Sequence, residues 1–381
     1  MISLPAKTLG AMASACARIS PSKSHTLALT STLISVNSDS VEMTATDALN
    51  SLRVRASAAC IGEGFSLCVD SKKFSEAIKA MPQTADVSLS LDGDQSAPLL
   101  VVAHGKSKIK LPALAAAEFP EPMPMDKQYI SVNYSDLAPL LKGVSYAASD
   151  DPARANLNGV YLHNSGAKLV SAATDGHRLA TATSPQSVLE GDLALSAILT
   201  KDSVHEVLKG EYTRAEIGAQ YARFIHEGEE GGTSTTYMCR LLNEKFPPYQ
   251  AVIPKSNTLS VRLSVSELKS ALTRMMVIAD DKTHAVLFVF STDDLGLMSL
   301  HLESKNDHGV TKEQVEVAPV GGEVNGSIAF SVKYLQDALS RVSSPSAIMC
   351  LNPALSGAAI VHDDGPKEDS VVLSVVMPRR S

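Results

Sequence analysis

The residues best suited to catalysis lie in one short run, residues 173–180, which reads Ala-Thr-Asp-Gly-His-Arg-Leu-Ala. His177 could act as a general base, with Asp175 orienting its ring. Neighbouring residues on a turn rarely face each other, however, and no nucleophile is indicated beside this pair. The sequence therefore gives catalysis little support, and enzyme activity stays open only as an alternative that loss of activity in His177→Ala would test.

Other signatures of catalysis and nucleotide binding are weak or missing. Ser20 and Lys23 match the pattern Ser-x-x-Lys, but the companion motifs of that enzyme class do not accompany them. The phosphate-binding loop, the dinucleotide-binding glycine pattern, the His-Glu-x-x-His zinc motif and the Gly-x-Ser-x-Gly nucleophile motif do not occur in the sequence. The sequence thus requires no catalytic residue, cofactor or metal.

Six basic residues recur at nearly even spacing and indicate a different chemistry, the binding of an anion. They are Arg18, Lys79, Lys142, Lys209, Arg274 and Arg341. One interpretation is that each cation lies at the end of a helix, where it meets the negative end of the helix dipole. The other is a row of cations that related helices present to one anionic partner.

Each cation follows a stripe of apolar residues at positions i, i+3 and i+4, which is one face of a helix. The stripes begin at Leu9, Phe74, Leu137, Val204, Leu268 and Leu335, in steps of 63 to 67 residues. Helix-capping residue types precede five of them, namely Asp70, Asn133 with Ser135, Thr200 with Asp202, Ser264 and Ser331. The sequence therefore predicts six related helices.

Alternating or β-branched runs between the helices predict strands. The clearest runs cover residues 32–36, 41–46, 87–91, 99–102, 160–163, 169–173, 286–290, 295–302, 348–351 and 371–376. Turn signals such as Asn37-Ser38-Asp39 and Asp92-Gly93-Asp94 separate them. Each repeat is thus predicted to be one helix with a few antiparallel strands, and residues 1–7 are interpreted as the first strand and the start of the first helix.

A longer repeat groups these units in pairs. Phe119-Pro120 returns as Phe246-Pro247, a shift of 127 residues, and both pairs lead into proline-rich extended sequence typical of linkers. Ala45-Thr46-Asp47 likewise resembles Ala173-Thr174-Asp175, although the earlier turn lacks the Gly-His-Arg-Leu extension. These repeats predict three domains, at residues 1–125, 126–255 and 256–381.

The composition bounds the class of protein. Of the 381 residues, 44% are hydrophobic, yet no run of about 18 apolar residues could span a membrane and residues 1–7 lack a signal-peptide pattern. Five cysteines without Cys-x-x-Cys spacing argue against a disulfide framework and a zinc site, and favour the cytoplasm. The net charge is −7, but the acidic residues cluster at 227–230, 280–281, 293–294 and 362–364. One face of the protein could therefore still be basic.

With these features together, the chain resembles the bacterial sliding clamp family, the β subunits of DNA polymerase III. Four strings carry the resemblance in family order: Leu157-Asn158-Gly159, residues 173–180, Phe246-Pro247-Pro248-Tyr249 with Val252-Ile253-Pro254, and Val375-Val376-Met377-Pro378. The resemblance covers the whole chain, because the three-domain repeat belongs to it as well.

The resemblance implies an α+β fold of three repeated clamp domains, each with two helix-plus-antiparallel-sheet units, that forms half of a ring. Such a chain would encircle duplex DNA as a head-to-tail homodimer without reading bases, because phosphate contacts carry no sequence information. Its implied partners are the DNA polymerase III catalytic subunit, the clamp loader, and other polymerases and repair proteins with a clamp-binding motif. No catalytic activity is implied. A non-catalytic repeat scaffold that binds proteins without encircling DNA is the alternative.

The resemblance also implies a groove between the second and third domains where partners dock a short apolar peptide. Carried over residue by residue, the groove comprises Leu157, Thr174, Gly176, His177, Arg178, Leu179, Pro247, Val252, Val376, Met377 and Pro378. The aliphatic side chains would form an adaptable floor, while His177 and Arg178 could orient the peptide. Alternatively, some of these residues only hold two domains together.

Departures from the family bear on both kinds of contact. The chain has Ala251 where many members have a basic residue, Ala155-Asn156 where many have aromatic residues, and the tail Arg379-Arg380-Ser381 instead of an apolar one. Ser149-Asp150-Asp151 is acidic where the family ring approaches DNA. The predicted DNA contacts are Lys23, Lys79, Lys142, Arg154, Lys209, Arg274 and Arg341.

Overall fold

The structure is a computed structural model, and it describes residues 1–93, 97–189, 194–228, 232–280, 283–293, 297–322, 324–364 and 371–379. The chain divides into two compact units. The first unit comprises Met1–Tyr134 and Lys209–Leu241, and the second comprises Ser135–Leu208 and Leu242–Ser381. The three predicted domains, with boundaries after residues 125 and 255, stay a prediction.

All six predicted helices form within the described residues, and each contains one of the apolar stripes, except that the last stripe residue of the fourth, Leu208, caps the end of its helix. They are α1 (Ala6–Ile19), α2 (Ser71–Lys79), α3 (Tyr134–Val144), α4 (Lys201–Val207), α5 (Val265–Met275) and α6 (Val332–Leu339). Apart from the half-buried Leu208, the stripe residues are buried: Leu268 and Leu335, for example, have no exposed surface. The helices therefore exist because one face of each reaches a core.

Helix caps follow the sequence prediction in part. The side chains of Asp70, Thr200 and Ser264 each accept a hydrogen bond from a backbone N–H in the first turn. Ser331 lies at the N-cap of α6 but makes no such bond, and Pro5 precedes α1. These three side-chain caps explain why the sequence located the starts of their helices so closely.

The first twelve described strands are β1 (Ile2–Pro5), β2 (Ser31–Val36), β3 (Ser40–Thr46), β4 (Asn50–Ser57), β5 (Phe65–Asp70), β6 (Asp86–Asp92), β7 (Leu99–His104), β8 (Ser107–Ala115), β9 (Ile130–Asn133), β10 (Gly159–Ser165), β11 (Lys168–Thr174) and β12 (Arg178–Thr183). The remaining described strands are β13 (Ser196–Thr200), β14 (Arg214–Ile217), β15 (Tyr221–His226), β16 (Thr233–Arg240), β17 (Leu259–Ser264), β18 (Ala285–Thr292), β19 (Met298–Asn306), β20 (Gly309–Gly321), β21 (Gly326–Ser331), β22 (Ser346–Leu351), β23 (Ala359–Asp363) and β24 (Val371–Val376).

The described strands form one sheet of twelve strands in each unit, and neighbouring strands pair antiparallel. The sheet of the first unit has the order β1-β6-β7-β8-β5-β2-β3-β4-β16-β15-β14-β9. The sheet of the second unit has the order β13-β10-β11-β12-β24-β23-β22-β17-β20-β19-β18-β21. The predicted α+β class with antiparallel sheet is confirmed. The predicted strand 295–302 begins at Met298, and residues 294–296 lie outside the described residues.

One core of the second unit lies between its sheet and helices α5 and α6. Leu272 and Leu339 pack there with Phe288 and Phe330, whose rings meet edge to face at 5.5 Å. No helix in the described part of the chain is long and apolar enough to cross a membrane. The apolar residues of the helices are therefore accounted for by burial inside each unit.

Candidate functional site

A tight turn at residues 174–178 joins β11 to β12 and carries four of the predicted groove residues. The Thr174 hydroxyl donates to the Arg178 carbonyl at 2.6 Å and accepts from the Gly176 N–H at 3.1 Å. The Asp175 carboxylate accepts from the N–H groups of His177 and Arg178 at 2.9 and 3.0 Å. Gly176 has a φ of 87°, which favours glycine. The carboxylate of Asp175 thus holds the turn together and does not orient the His177 ring.

The Arg178 side chain leaves this turn and is almost buried, with 10% of its surface exposed. Its guanidinium donates to Asp175 at 3.0 Å and forms a second ion pair with Asp337 on α6. It also lies over two aromatic rings, 5.4 Å from the centre of Tyr146 and 4.7 Å from that of Tyr334. Arg178 therefore connects the turn to α6 through charge and aromatic contacts.

Tyr146, which contacts the Arg178 guanidinium, is itself held in place by other residues. Its hydroxyl shares a hydrogen bond of 2.7 Å with Ser374 on β24, and burial raises the pKa of Tyr146 to about 12. The Arg341 guanidinium lies over the same ring, 5.3 Å from its centre, and the Nε of Arg341 is buried. Tyr146 is consequently neutral at physiological pH, and its ring contacts the guanidinium groups of Arg178 and Arg341.

An apolar cluster lies beside the turn and is built from residues far apart in the sequence of the second unit. Its buried members are Leu157, Ala172, Leu179, Ile198, Phe246, Tyr249, Ala358 and Val375. Partly buried residues pack on it, namely Tyr161, Leu242, Ile253, Ile360, Leu373 and Met377. Phe246 stacks on Tyr161 with ring centres 4.9 Å apart and planes 11° apart, and the Tyr249 hydroxyl bonds His163 Nε2 at 2.8 Å.

The structure brings most of the predicted groove residues together. Leu157, Leu179 and Met377 belong to the apolar cluster, and the Met377 N–H donates to the His177 carbonyl at 3.1 Å, which joins the C-terminal segment to the turn. Pro247 directly follows one member of the cluster, Phe246, and Pro378 directly follows another, Met377.

Two of the predicted groove residues differ from the others in their surroundings. Val376 is buried in the main core with α5 and α6, so its side chain supports the strand from the opposite face. Val252 ends a short 3-10 helix, Tyr249–Val252, and 44% of its surface is exposed. These residues stay predictions, as do the rest of the groove.

Sequence reasoning missed several residues of this region. Tyr146, Tyr334 and Asp337 surround Arg178 but are far from it in sequence, and no motif marks them. Phe246 was interpreted only as part of a linker, although it is 7% exposed and packs in the apolar cluster. The scarcity of aromatic residues, 4% of the chain, is the one signal that could have drawn attention to them.

The predicted DNA contacts fall into two groups. Lys23, Lys79, Lys142 and Lys209 are exposed, and Lys79 and Lys142 lie in the last turns of α2 and α3. Lys209 lies beyond the end of α4, so the helix-dipole interpretation does not explain it as directly.

The three predicted arginines have contacts with other side chains of the described residues. Arg274 forms a bidentate ion pair with Glu313, with one contact at 2.6 Å, and this pair lowers the pKa of Glu313. Arg341 packs on Tyr146, as described above. Arg154 contacts the Asp151 carboxylate at 3.5 Å and donates to the Asp175 carbonyl at 3.0 Å. All three stay predictions, as do the four lysines.

The acidic residues near the site are partly neutralised. Lys201 contacts Asp150 at 2.5 Å, and this hydrogen bond lowers the pKa of Asp150. Asp151 accepts from the Ala153 N–H at 3.0 Å at the start of a 3-10 helix.

Other residues of the predicted acidic clusters and tail lie outside the described residues: Glu229, Glu230, Asp281, Asp294, Arg380 and Ser381.

Comparison with known proteins places the whole chain beside one group of proteins. Models of the DNA polymerase III β subunit match in order along it: the N-terminal domain at residues 7–124, the central domain at 131–248 and the C-terminal domain at 250–380. A beta sliding clamp of Caulobacter vibrioides is 30% identical over 317 residues, which is 80% of each chain.

Solved structures give the same result. A Caulobacter crescentus beta sliding clamp, crystallised with a polyethylene glycol, is 27% identical, with a TM-score of 0.85 over 100% of this chain and 98% of that one. The Pseudomonas aeruginosa sliding clamp bound to griselimycin is 24% identical, with a TM-score of 0.88 over 100% of this chain and 99% of that one. The second likeness concerns the fold alone.

Proposed function

We propose, from the premise that this chain belongs to the bacterial sliding clamp family, the β subunits of DNA polymerase III, that it encircles duplex DNA as a head-to-tail homodimer and tethers the replicative polymerase. It is a DNA sliding clamp and a non-catalytic subunit. The observation that carries the proposal is the match of three successive β-subunit domains over one continuous chain. The alternative, a repeat scaffold that does not encircle DNA, is not favoured by these relatives.

Processivity in such a protein comes from topology. A closed ring cannot leave a circular duplex, so each contact with DNA can be weak and independent of sequence. The exposed Lys23, Lys79, Lys142 and Lys209 suit that role, because single lysines attract phosphates without fixing a position. A modest number of cations then suffices, despite the net charge of −7. The cytoplasm, where bacterial DNA lies, is the proposed place of action.

Two strand segments that pair with a described strand on one side only support the proposed dimer. Residues 107–112 of β8 pair with β7 on one side, and no described strand pairs with their other side. Residues 309–316 of β20 pair in the same one-sided way with β19, among the described strands. Unpaired edges of this kind are templates for another strand. An exposed apolar side chain also lies in this part of the chain: Val277, two residues beyond the end of α5, is 78% exposed. We propose that β8 of one protomer pairs with β20 of the next.

We also propose that the apolar cluster and the turn at 174–178 form the docking groove for partner peptides. Apolar side chains provide the floor, and Arg178 with Asp337 fixes one wall, which suits a short apolar motif with few polar contacts. The polymerase III catalytic subunit, the clamp loader and repair polymerases are the proposed partners. The three domains, residues 1–125, 126–255 and 256–381, would then be the repeated parts of the ring.

One experiment tests the clamp. After loading by a clamp loader onto circular DNA, the protein should stay bound until the circle is cut, and its mass in solution should be about 80 kDa, twice the 40.2 kDa of one chain. Equal loss from intact and linearised circles, or a monomer in solution, would contradict the proposal. Combined Lys79→Gln and Lys142→Gln should reduce the salt dependence of DNA binding by about two phosphate contacts.

A second experiment tests the groove. A fluorescent peptide with a clamp-binding motif of the family should bind with a Kd in the micromolar range. Deletion of residues 377–381 should weaken it at least tenfold, because Met377 is part of the apolar cluster. Unchanged binding would remove this site. Lys168→Gln, an exposed residue at the start of β11, is the matched control and should not affect the peptide.

A further inference from the structure

We infer that Arg379 makes the docking groove selective for peptides that carry a carboxylate beside their apolar motif. This inference rests on the proposed groove, and it concerns the preference of that groove for its partners. It starts from the ring of Tyr334, because an unusual number of cationic groups lie around it.

Three cationic or ionisable side chains surround the Tyr334 ring. The Arg178 guanidinium lies 4.7 Å from its centre, the Arg379 guanidinium lies 5.5 Å from it, and the His177 ring stacks on it at 6.3 Å with an angle of 14°. All of these positions adjoin the turn and the C-terminal segment of the groove. A docked peptide would therefore meet this cluster at one end.

The carboxylates that pair with the arginines around Tyr146 and Tyr334 are fewer than those arginines. Arg178, Arg341 and Arg379 contribute three positive charges there, and the described carboxylates that pair with one of them are Asp175 and Asp337. Both carboxylates are engaged by Arg178, and Asp175 also accepts two backbone hydrogen bonds. Among the described residues, the contact of the Arg379 guanidinium is with the Tyr334 ring, and no carboxylate pairs with it.

The backbone holds Arg379 in place without using its side chain. The Arg379 N–H donates to the Ala329 carbonyl at 2.7 Å, as an antiparallel bridge to the edge of β21. Two residues earlier, the Met377 N–H donates to the His177 carbonyl. The guanidinium thus starts from a fixed backbone position, and no described residue accepts a hydrogen bond from it.

Arginine suits a carboxylate better than other anionic or polar groups because its planar donors can bind both oxygens at once. Arg178 is almost buried and already paired, so the incoming carboxylate would meet Arg379. A partly exposed ion pair of this kind contributes a small preference, in the range of about three- to fivefold in affinity.

The test uses two pairs of fluorescent peptides with the same apolar motif. In one pair a Glu or a Gln precedes the motif, and in the other a Glu or a Gln follows it. The full chain should bind the Glu peptide of one pair about three- to fivefold more tightly than its Gln counterpart at low salt. In Arg379→Gln this preference should fall to about onefold, while the Gln peptides keep their affinity. Lys168→Gln removes the same charge from an exposed site and should retain the preference.

The outcomes separate this inference from the groove itself. If the Glu and Gln peptides bind equally in both pairs, or if the preference survives in Arg379→Gln, the acidic preference is wrong and the groove stands. If no peptide binds the unchanged chain, both are wrong. If Arg379→Gln weakens duplex DNA binding and leaves the peptide preference unchanged, Arg379 serves DNA instead. Equal melting temperatures of the variants exclude a folding defect.

Discussion

Two turns of the chain, residues 46–50 in the first unit and 174–178 in the second, have the same set of hydrogen bonds. In both, a threonine hydroxyl donates to the carbonyl four residues later, at 2.7 and 2.6 Å, and accepts from the N–H two residues later, at 3.1 Å. In both, the next aspartate accepts from two N–H groups. The residue after the aspartate has positive φ in each, 76° at Ala48 and 87° at Gly176.

The turns differ in the residue that closes them. Asn50 closes the first turn, donates to Asp47 and accepts from the Tyr237 hydroxyl at 2.8 Å, and both of these contacts are with residues of the first unit. Arg178 closes the second turn and reaches Asp337 on a helix. The threonine and aspartate thus determine the shape of the turn, and the closing residue determines what the turn can contact.

The segments that follow each repeat differ as well. Phe119 and Met123 line a cavity of about 420 Å³ with Leu33 and Met238 of the first sheet. At the corresponding place in the second repeat, Phe246 fills the space against Tyr161. The phenylalanine at this place in the repeat therefore packs in the apolar cluster of the second unit (Phe246) and lines a cavity in the first (Phe119).

The largest expected difference between the repeats concerns these two phenylalanines. Phe246→Ala should lower the free energy of unfolding by about 3–4 kcal/mol, because a buried, stacked ring is lost. Phe119→Ala should cost about 1 kcal/mol or less, because its ring already borders a cavity. Urea unfolding of both variants measures the difference, and equal losses would contradict the assignment of Phe246 to the cluster.

The closing residues should differ next. Arg178→Ala should destabilise the chain by about 2–3 kcal/mol, since it leaves the mostly buried Asp175 and the half-buried Asp337 without their cation. Asn50→Ala should cost about 1 kcal/mol for its lost hydrogen bonds. In peptide binding, Arg178→Ala should lose more than tenfold and Asn50→Ala should match the unchanged chain. A loss of peptide binding in Asn50→Ala would show that the two turns are not functionally distinct.

Substitutions at the positive-φ positions should have opposite signs. Gly176→Ala should destabilise by about 1 kcal/mol, because alanine disfavours this φ, and its Cβ would lie 3.0 Å from Arg154 Nη1. Ala48→Gly should stabilise by about 0.5–1 kcal/mol for the same reason. Calorimetric melting temperatures give the sign directly, and two shifts of the same sign would contradict it.

The threonines should show the smallest difference. Thr46→Val and Thr174→Val remove the same two hydrogen bonds, and each should cost about 1 kcal/mol. The two losses should agree within about 0.5 kcal/mol. A larger gap, measured by urea unfolding, would mean that the shared hydrogen bonds stabilise only one of the turns.

How far the sequence predicts this molecule depends on the range of each interaction. The six helices were predictable because stripe and cap are local: Asp70, for example, caps a helix whose N–H groups lie three residues away. The environment of Arg178 was not, because Asp337 is 159 residues away and only the packed unit brings them together. The surroundings of Arg341 were not predictable either: it follows a helical stripe in the sequence, but its guanidinium packs on the Tyr146 ring.

The pairing of β4 with β16 has a consequence for the order of events during synthesis. β16 contributes Tyr237, opposite Leu52, to a sheet whose other half was translated much earlier. At about 5–20 residues per second, the ribosome needs on the order of 5–20 s to move from residue 134 to residue 241. Until then the edge of β4 has no neighbour, and the exposed Arg53 and Arg55 on that strand would discourage association with other nascent chains. We therefore expect these two arginines to protect the chain while the first unit is unfinished.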